Sequence, residues 1–222
     1  MKFIKRLFIF LLIVIIILVS IVVFKGYSLY KVSVSKISIE DKIAEIKSDE
    51  DYTILDDVSN DFKNAIVAVE DHRFYNHYGF DFISFSRAIV NNILEGNKSQ
   101  GGSTIPQQLA RNMYFTQEKN YSRKVAELFI VYNLEKNYSK DDILELYINT
   151  IYFGDGYYGI KEASNGYFDV EPSELDFYQS TILAGVPNAP SAYALSKHLD
   201  LAEERRIHVV NSMKKYNFPV NE

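Results

Sequence analysis

Cysteine is absent from this chain, which excludes a disulfide framework, a thiol nucleophile and a cysteine-based zinc site. The absence fits either side of a membrane and decides nothing about compartment. A basic excess is also missing: the net charge is −5 over 222 residues, which argues against a nucleic-acid binder. No HExxH spacing occurs, and His72 and His77 are badly spaced for a metal pair on one helix. There is no internal repeat and no regular alternation of strand and helix. The length allows one domain plus an attachment, and with 47% apolar residues a sizeable core is available.

What the chain does have begins at its N-terminus. Residues 7–24 (LFIFLLIVIIILVSIVVF) carry no charge and follow Lys2, Lys5 and Arg6. As a helix this run is about 27 Å long, close to the hydrocarbon thickness of a bilayer. It exceeds the usual apolar stretch of a cleaved signal peptide, and its one nearby small-x-small triplet, Gly26-Tyr27-Ser28, follows Lys25 and is a poor cleavage site. An uncleaved membrane anchor is expected. Lys25, Lys31 and Lys36 balance the charges before the span, so local charge does not set orientation. A very short basic N-terminus before a large domain favours a translocated domain.

The expected organisation is a basic segment over 1–6, the anchor over 7–24, a polar spacer over 25–51, a domain over 52–216 and a tail over 217–222. Val32, Val34, Ile37 and Ile39 alternate as a short strand would. From Ser59 the pattern turns helical: a helix capped at Ser59 or Asn60 runs through Glu70 towards Gly79. Others start near Pro106, at Arg123 after Ser122, and after Ser139, where Asp142 completes a capping box. Two more cover 174–184 and 201–216.

Three stretches carry chemistry. In VAVEDHRFYNHYG, a run of buried-looking residues gives way directly to Glu70 and Asp71. If the helix continues, Glu70, Phe74 and His77 share one stripe. In GGSTIPQQLARN, glycines, hydroxyls, amides and Arg111 gather at a helix start, a composition suited to phosphate or sugar. In RKVAELFIVYNLE, Glu127 shares a face with Arg123 and Lys124. Between Lys98 and Lys124 there are five basic residues and one acidic, Glu118, so a positive island sits in an acidic chain. That points to an anionic ligand. Two separated carboxylates and a cation cluster suit glycosyl transfer: one carboxylate takes a proton and the cations stabilise a departing phosphate. GDGYYG matches the dinucleotide fingerprint literally, but the segment before it is helical, so tight turns are expected instead.

Together these motifs resemble the glycosyltransferase domain of peptidoglycan polymerases, found at the N-terminal end of bifunctional penicillin-binding proteins. EDHRFYNHYG, GGSTIPQQLARN, RKVAELFIVYNLE, ILELYINTIYFGDGYYG with ASNGYF, and LAGVPNAPSAY follow in the family's order over roughly residues 52–216. The resemblance implies a mainly α, lysozyme-like fold with a small membrane-proximal lobe that includes FDFISF, preceded by one transmembrane helix. Because the chain ends soon after this domain, it implies the monofunctional, membrane-anchored type. The implied reaction polymerises lipid II with inversion to a β-1,4 bond and loss of polyprenyl pyrophosphate. The implied partners are lipid II, the growing lipid-linked glycan chain and cytoplasmic membrane lipid, with other cell-wall synthesis proteins compatible and no nucleic acid. The site would face the extracytoplasmic side.

Carried over by position, Glu70 is the general base and Glu127 the second carboxylate. Arg111 and Lys119 match pyrophosphate-binding cations, and Ser103, Thr104, Gln107, Gln108 and Asn112 fall in the donor motif. Arg123 and Lys124 flank Glu127. Asp71, Phe74, His77, Asn149 and Tyr152 complete the implied substrate site. The sequence departs from the family at Pro106, where Thr is usual, and at Arg111, where Lys is usual; Arg keeps the charge and adds bidentate geometry. No organic cofactor is implied. A divalent cation, magnesium or manganese, is compatible with carboxylates beside a pyrophosphate, but no dedicated ligand set is present. The competing readings are a lytic enzyme of the lysozyme-like fold and an inactive membrane-tethered scaffold.

Overall fold

A computed structural model describes residues 2–81, 83, 86, 102–116 and 120–221. Nine α-helices and no named strand occur among the described residues. In chain order they are α1 (Lys2–Lys36), α2 (Ile39–Lys47), α3 (Asn60–Glu70), α4 (Ile105–Tyr114), α5 (Tyr121–Asn137), α6 (Lys140–Thr150), α7 (Gly159–Phe168), α8 (Phe177–Gly185) and α9 (Leu199–Lys215).

The first helix does not end where the anchor was expected to stop. α1 continues unbroken through Lys36, so the strand expected around Val32 and Val34 is not formed. The alternation was misleading because Tyr30 and Val34, four residues apart, share a helix face that packs against the core. Ser38 then caps α2 by accepting from Asp41 N–H at 3.0 Å, and Ile39 and Ile43 enter the core. The packed body therefore begins inside the stretch read as a spacer.

Around the core, α3 packs on α8 and α9, while α4 lies against α5 and α6. Phe62, Ile66, Leu109, Ile130, Leu134 and Tyr147 are fully buried between them. Three capping boxes fix helix starts: Thr104 with Gln107, Ser139 with Asp142 as expected, and Asp176 with Gln179. The start of α5 differs from expectation. Asn120 is its cap, accepting from Ser122 N–H at 2.8 Å, so Ser122 lies inside the helix.

The glycines of GDGYYG form a turn, as the helical segment before them required. Gly154 and Gly156 adopt φ of +83° and +96°, and Tyr152 bridges back to Tyr158. The larger correction concerns the first motif. α3 stops at Glu70; Asp71 turns to φ −157°, ψ 68°, and a short 3-10 turn, Phe74–Asn76, follows. The stripe of Glu70, Phe74 and His77 does not exist. Asp71 leaves the helix because its carboxylate is bound elsewhere. Half of the FDFISF segment assigned to the small lobe, residues 82, 84 and 85, lies outside the described residues.

Candidate active site

Glu70 ends α3, which is held in the core by Phe62, Ala65, Ile66, Val67 and Ala68. The break after it turns the chain away while Glu70 itself points across to α4. There Gln108 Nε2 donates to Glu70 Oε2 at 2.7 Å. Tyr147, from α6, donates its phenol to Gln108 Oε1 at 3.3 Å and so fixes which way the amide faces. Glu70 Oε1 is buried without a hydrogen bond, and Arg205 Nη2 of α9 lies 4.0 Å from it. Burial pushes the Glu70 carboxyl above its ordinary value. The Gln108 hydrogen bond and the charges of Arg205 and Arg111 pull it back without cancelling the shift.

Glu127 sits on the inner side of α5 and is 3% exposed. Arg123, one turn earlier, pairs with it at 3.1 Å and also donates to the Thr116 carbonyl at 2.7 Å. Burial again raises the carboxyl, opposed by Arg123, Arg111 and Lys124. Arg111 acts electrostatically on both glutamates, which places a cation where it serves the two carboxylates together. Its Nε is buried without a hydrogen-bond partner. Lys124 reaches Ser103 Oγ at 3.2 Å, joining the second and third motifs at the surface.

Asp71 organises the remainder. Its Oδ2 accepts from His77 Nε2 at 2.9 Å and from Ile105 N–H at 3.0 Å, the first residue of α4. One carboxylate thus meets a helix N-terminus and an imidazole, and it sets α4, with Gln108 on it, against Glu70. Thr104 adds a bond from Oγ1 to the Gly79 carbonyl at 3.0 Å. Asp71, His77 and Asp81 bring ligand-type atoms within 4.8 Å of one another. They do not fit a resident metal: His77 already holds Asp71, and Arg73 holds Asp81 at 3.0 Å.

The other expected residues divide clearly. Gln108, Arg111, Arg123 and Lys124 join the two glutamates, with Ser103 beside Lys124. Thr104 and Gln107 are committed to the α4 capping box. Phe74, expected to meet substrate, is fully buried, with Lys140 Nζ 4.7 Å from its ring centre; it is a core residue. Asn149 spends its amide on Thr53, accepting from N–H and donating to the carbonyl, both at 2.8 Å. Asn112 donates to the Thr150 carbonyl at 3.4 Å, and the Tyr152 ring lies tilted against Tyr158 in the turn. Lys119, like Lys98, lies outside the described residues. Arg205 and Tyr147 were missed. Arg205 lies on a polar C-terminal helix with no local motif, and Tyr147 reads as an ordinary core position.

The chain was compared with known proteins. A family model described as Transglycosylase matches residues 39–214. Penicillin-binding protein 1F of Bacillus subtilis (strain 168) is 43% identical over 164 residues, 74% of this chain and 23% of the relative. Penicillin-binding protein 1A/1B of the same organism is 42% identical over 179 residues, 80% of this chain and 20% of the relative. Penicillin-binding protein 1A of Neisseria flavescens is 39% identical over 163 residues, 73% of this chain and 20% of the relative. The chain thus spans about a fifth to a quarter of the length of these relatives. With all five sequence motifs inside the matched region and the buried glutamates, Arg111 and Arg123 gathered at one site, the chain belongs to the transglycosylase family.

Proposed function

We propose that this chain is a peptidoglycan glycosyltransferase that polymerises lipid II into linear β-1,4 glycan strands. The observation that carries the reading is the pair of buried carboxylates, Glu70 and Glu127, with Arg111 acting on both. Glu70 has one oxygen held by Gln108 and the other free of hydrogen bonds, so a proton can be accepted at Oε1. In the proposed step the acceptor sugar's 4-hydroxyl attacks the anomeric carbon of the growing lipid-linked chain. Glu70 takes the hydroxyl proton, the C–O bond to pyrophosphate breaks with inversion, and polyprenyl pyrophosphate departs.

Burial of Glu70 makes it a stronger base than an exposed carboxylate, and Arg111 and Arg205 keep enough of it ionised to work. Arg111, Arg123 and Lys124 supply the charge that stabilises the leaving pyrophosphate. Glu127 holds Arg123 in place for that task. A divalent cation, magnesium or manganese, would arrive on the pyrophosphate and supply further neutralisation of its charge. The carboxylate that would meet it is Glu127. The long apolar α1 supports a single-pass membrane location, and the very short basic N-terminus before a large domain favours the extracytoplasmic side.

Incubation of the purified full chain with lipid II, with and without magnesium, tests this reading. Polymer should form, and Glu70→Gln should abolish it. Shortening of supplied glycan strands in place of polymer growth would mark a lytic enzyme, and neither activity would mark a scaffold.

A further inference from the structure

α1 and α5 lie side by side, and their contacts define a register. A Cβ added at Gly26 would come within 2.5 Å of Val125 Cβ and 2.8 Å of the Ser122 carbonyl oxygen, so the two backbones nearly touch. Tyr27 and Tyr30 then pack on Phe129, with ring centres 5.2 and 5.6 Å apart. Beyond them, Asn133 Nδ2 donates to the Tyr30 phenol at 3.2 Å. As the numbers rise on α1 they rise on α5, so the helices run parallel, offset by about 100 residues with equal rise per residue.

That register fixes height. Tyr121 lies level with about residue 21 or 22 of α1, inside the apolar run that ends at Phe24. Lys124 lies near the end of the run. Leu128 stands about 6 Å beyond that end and Tyr132 about 12 Å beyond it, against a polar headgroup layer of about 5–8 Å. Tyr121, Leu128 and Tyr132 share one outer face of α5, and all three are exposed, Tyr121 at 82%. A tyrosine and a lysine at that level are the side chains that favour a membrane–water boundary.

We propose that the N-terminal end of α5 is a membrane-docking surface, with Tyr121 set into the acyl–headgroup boundary, Lys124 at the phosphates, Leu128 within the headgroups and Tyr132 clear of lipid. The occupant is the bilayer itself, because the face is continuous with the helix that enters it. The surface rests on the reading of residues 7–24 as a membrane span. Arg123 and Glu127, on the inner flank of the same turns, then lie at headgroup height. A lipid-linked pyrophosphate is met in the plane where it already rests.

The chain contains no tryptophan, so single substitutions give clean fluorescent reporters. Ile16→Trp, Tyr121→Trp, Leu128→Trp and Tyr132→Trp replace exposed side chains and preserve the packing. The full chain is reconstituted in phosphatidylcholine–phosphatidylglycerol vesicles bearing nitroxide labels at a shallow or a deep acyl position. The expected result is deep quenching of Ile16→Trp and shallow quenching of Tyr121→Trp several-fold above that of Tyr132→Trp, with Leu128→Trp between. Quenching of Ile16→Trp with none of Tyr121→Trp overturns the docking surface alone. An unquenched Ile16→Trp overturns the membrane span and the surface with it. Neither result touches the assignment of Glu70 as the base or of Glu127 as the partner of Arg123.

Discussion

Gln108 and Glu70 meet at 2.7 Å across the gap between α4 and α3, and this single hydrogen bond joins the second motif to the first. Its donor is held by the Tyr147 phenol, whose own proton burial and the Glu70 charge keep in place. Gln108 can therefore only donate to Glu70. It favours the ionised carboxylate and leaves the second oxygen to accept a proton.

Glu70→Gln keeps the volume and an oxygen for Gln108 while removing the base. Loss of lipid II polymerisation by at least about 10²-fold is expected, the lower range for general base catalysis. A far-ultraviolet circular dichroism melt of the same sample should show a folded protein. Activity equal to that of the parent would remove Glu70 from the mechanism.

The pH profile follows from burial. A base works when deprotonated, and the Glu70 carboxyl lies above its ordinary value, so the acid limb should fall at higher pH than an exposed glutamate would give. Gln108→Leu and Arg205→Ala each remove a group that lowers it, so each should move the limb to still higher pH. Arg205→Lys should restore part of the Arg205→Ala shift. Unmoved limbs in both variants would dissociate the limb from Glu70.

Stability should respond with the opposite benefit. Glu70 binds its proton more tightly folded than unfolded, where its pKa is about 4.3. Its contribution to folding is present below that unfolded value and is lost as pH rises through the raised folded value. Urea denaturation at several pH values should therefore find Glu70→Gln gaining on the parent as pH rises from the ordinary carboxylate range. A constant difference across pH would contradict a buried, raised carboxyl.

Much of this was legible in the chain because the signals were local. Ser139 followed by Asp142 dictated a capping box, and the helical segment before Gly154 denied the turn a strand. Asp71 was misread because nothing nearby in sequence says that its carboxylate will meet Ile105, 34 residues on. Once it does, the helix must end at Glu70, and the periodicity that linked Glu70 to His77 has no meaning. Arg205 was invisible for the same reason: its partner is on another helix far back in the chain. The strand pattern around Val34 failed because alternation over a few residues is also compatible with one helical turn of mixed burial.

Asp71→Ala tests that long-range anchor. It leaves His77 and the Ile105 N–H without an acceptor in a buried setting, so a loss of about 2–6 kcal/mol, about 1–3 for each group, is expected from chemical denaturation. Asp71→Asn, which can still accept from Ile105, should lose less. Equal losses would assign the effect to the His77 contact alone.

Gly26→Val addresses the other close contact. The new side chain would drive α1 away from α5 at Val125, at a cost of about 1–3 kcal/mol in detergent-solubilised protein. Val125→Ala combined with it should return part of that loss, because the two side chains compete for one space. Additive effects would show that the helices do not meet there.

The same contact constrains how the molecule is made. α1 is synthesised well before α5, yet the contacts made by Gly26, Tyr27 and Tyr30 need residues 122–133, about a hundred residues later. Contacts so far apart in sequence form slowly. The base of α1 therefore lacks its α5 partner while the intervening residues are built. The contact of α1 with α5 closes only after the residues between them have been made.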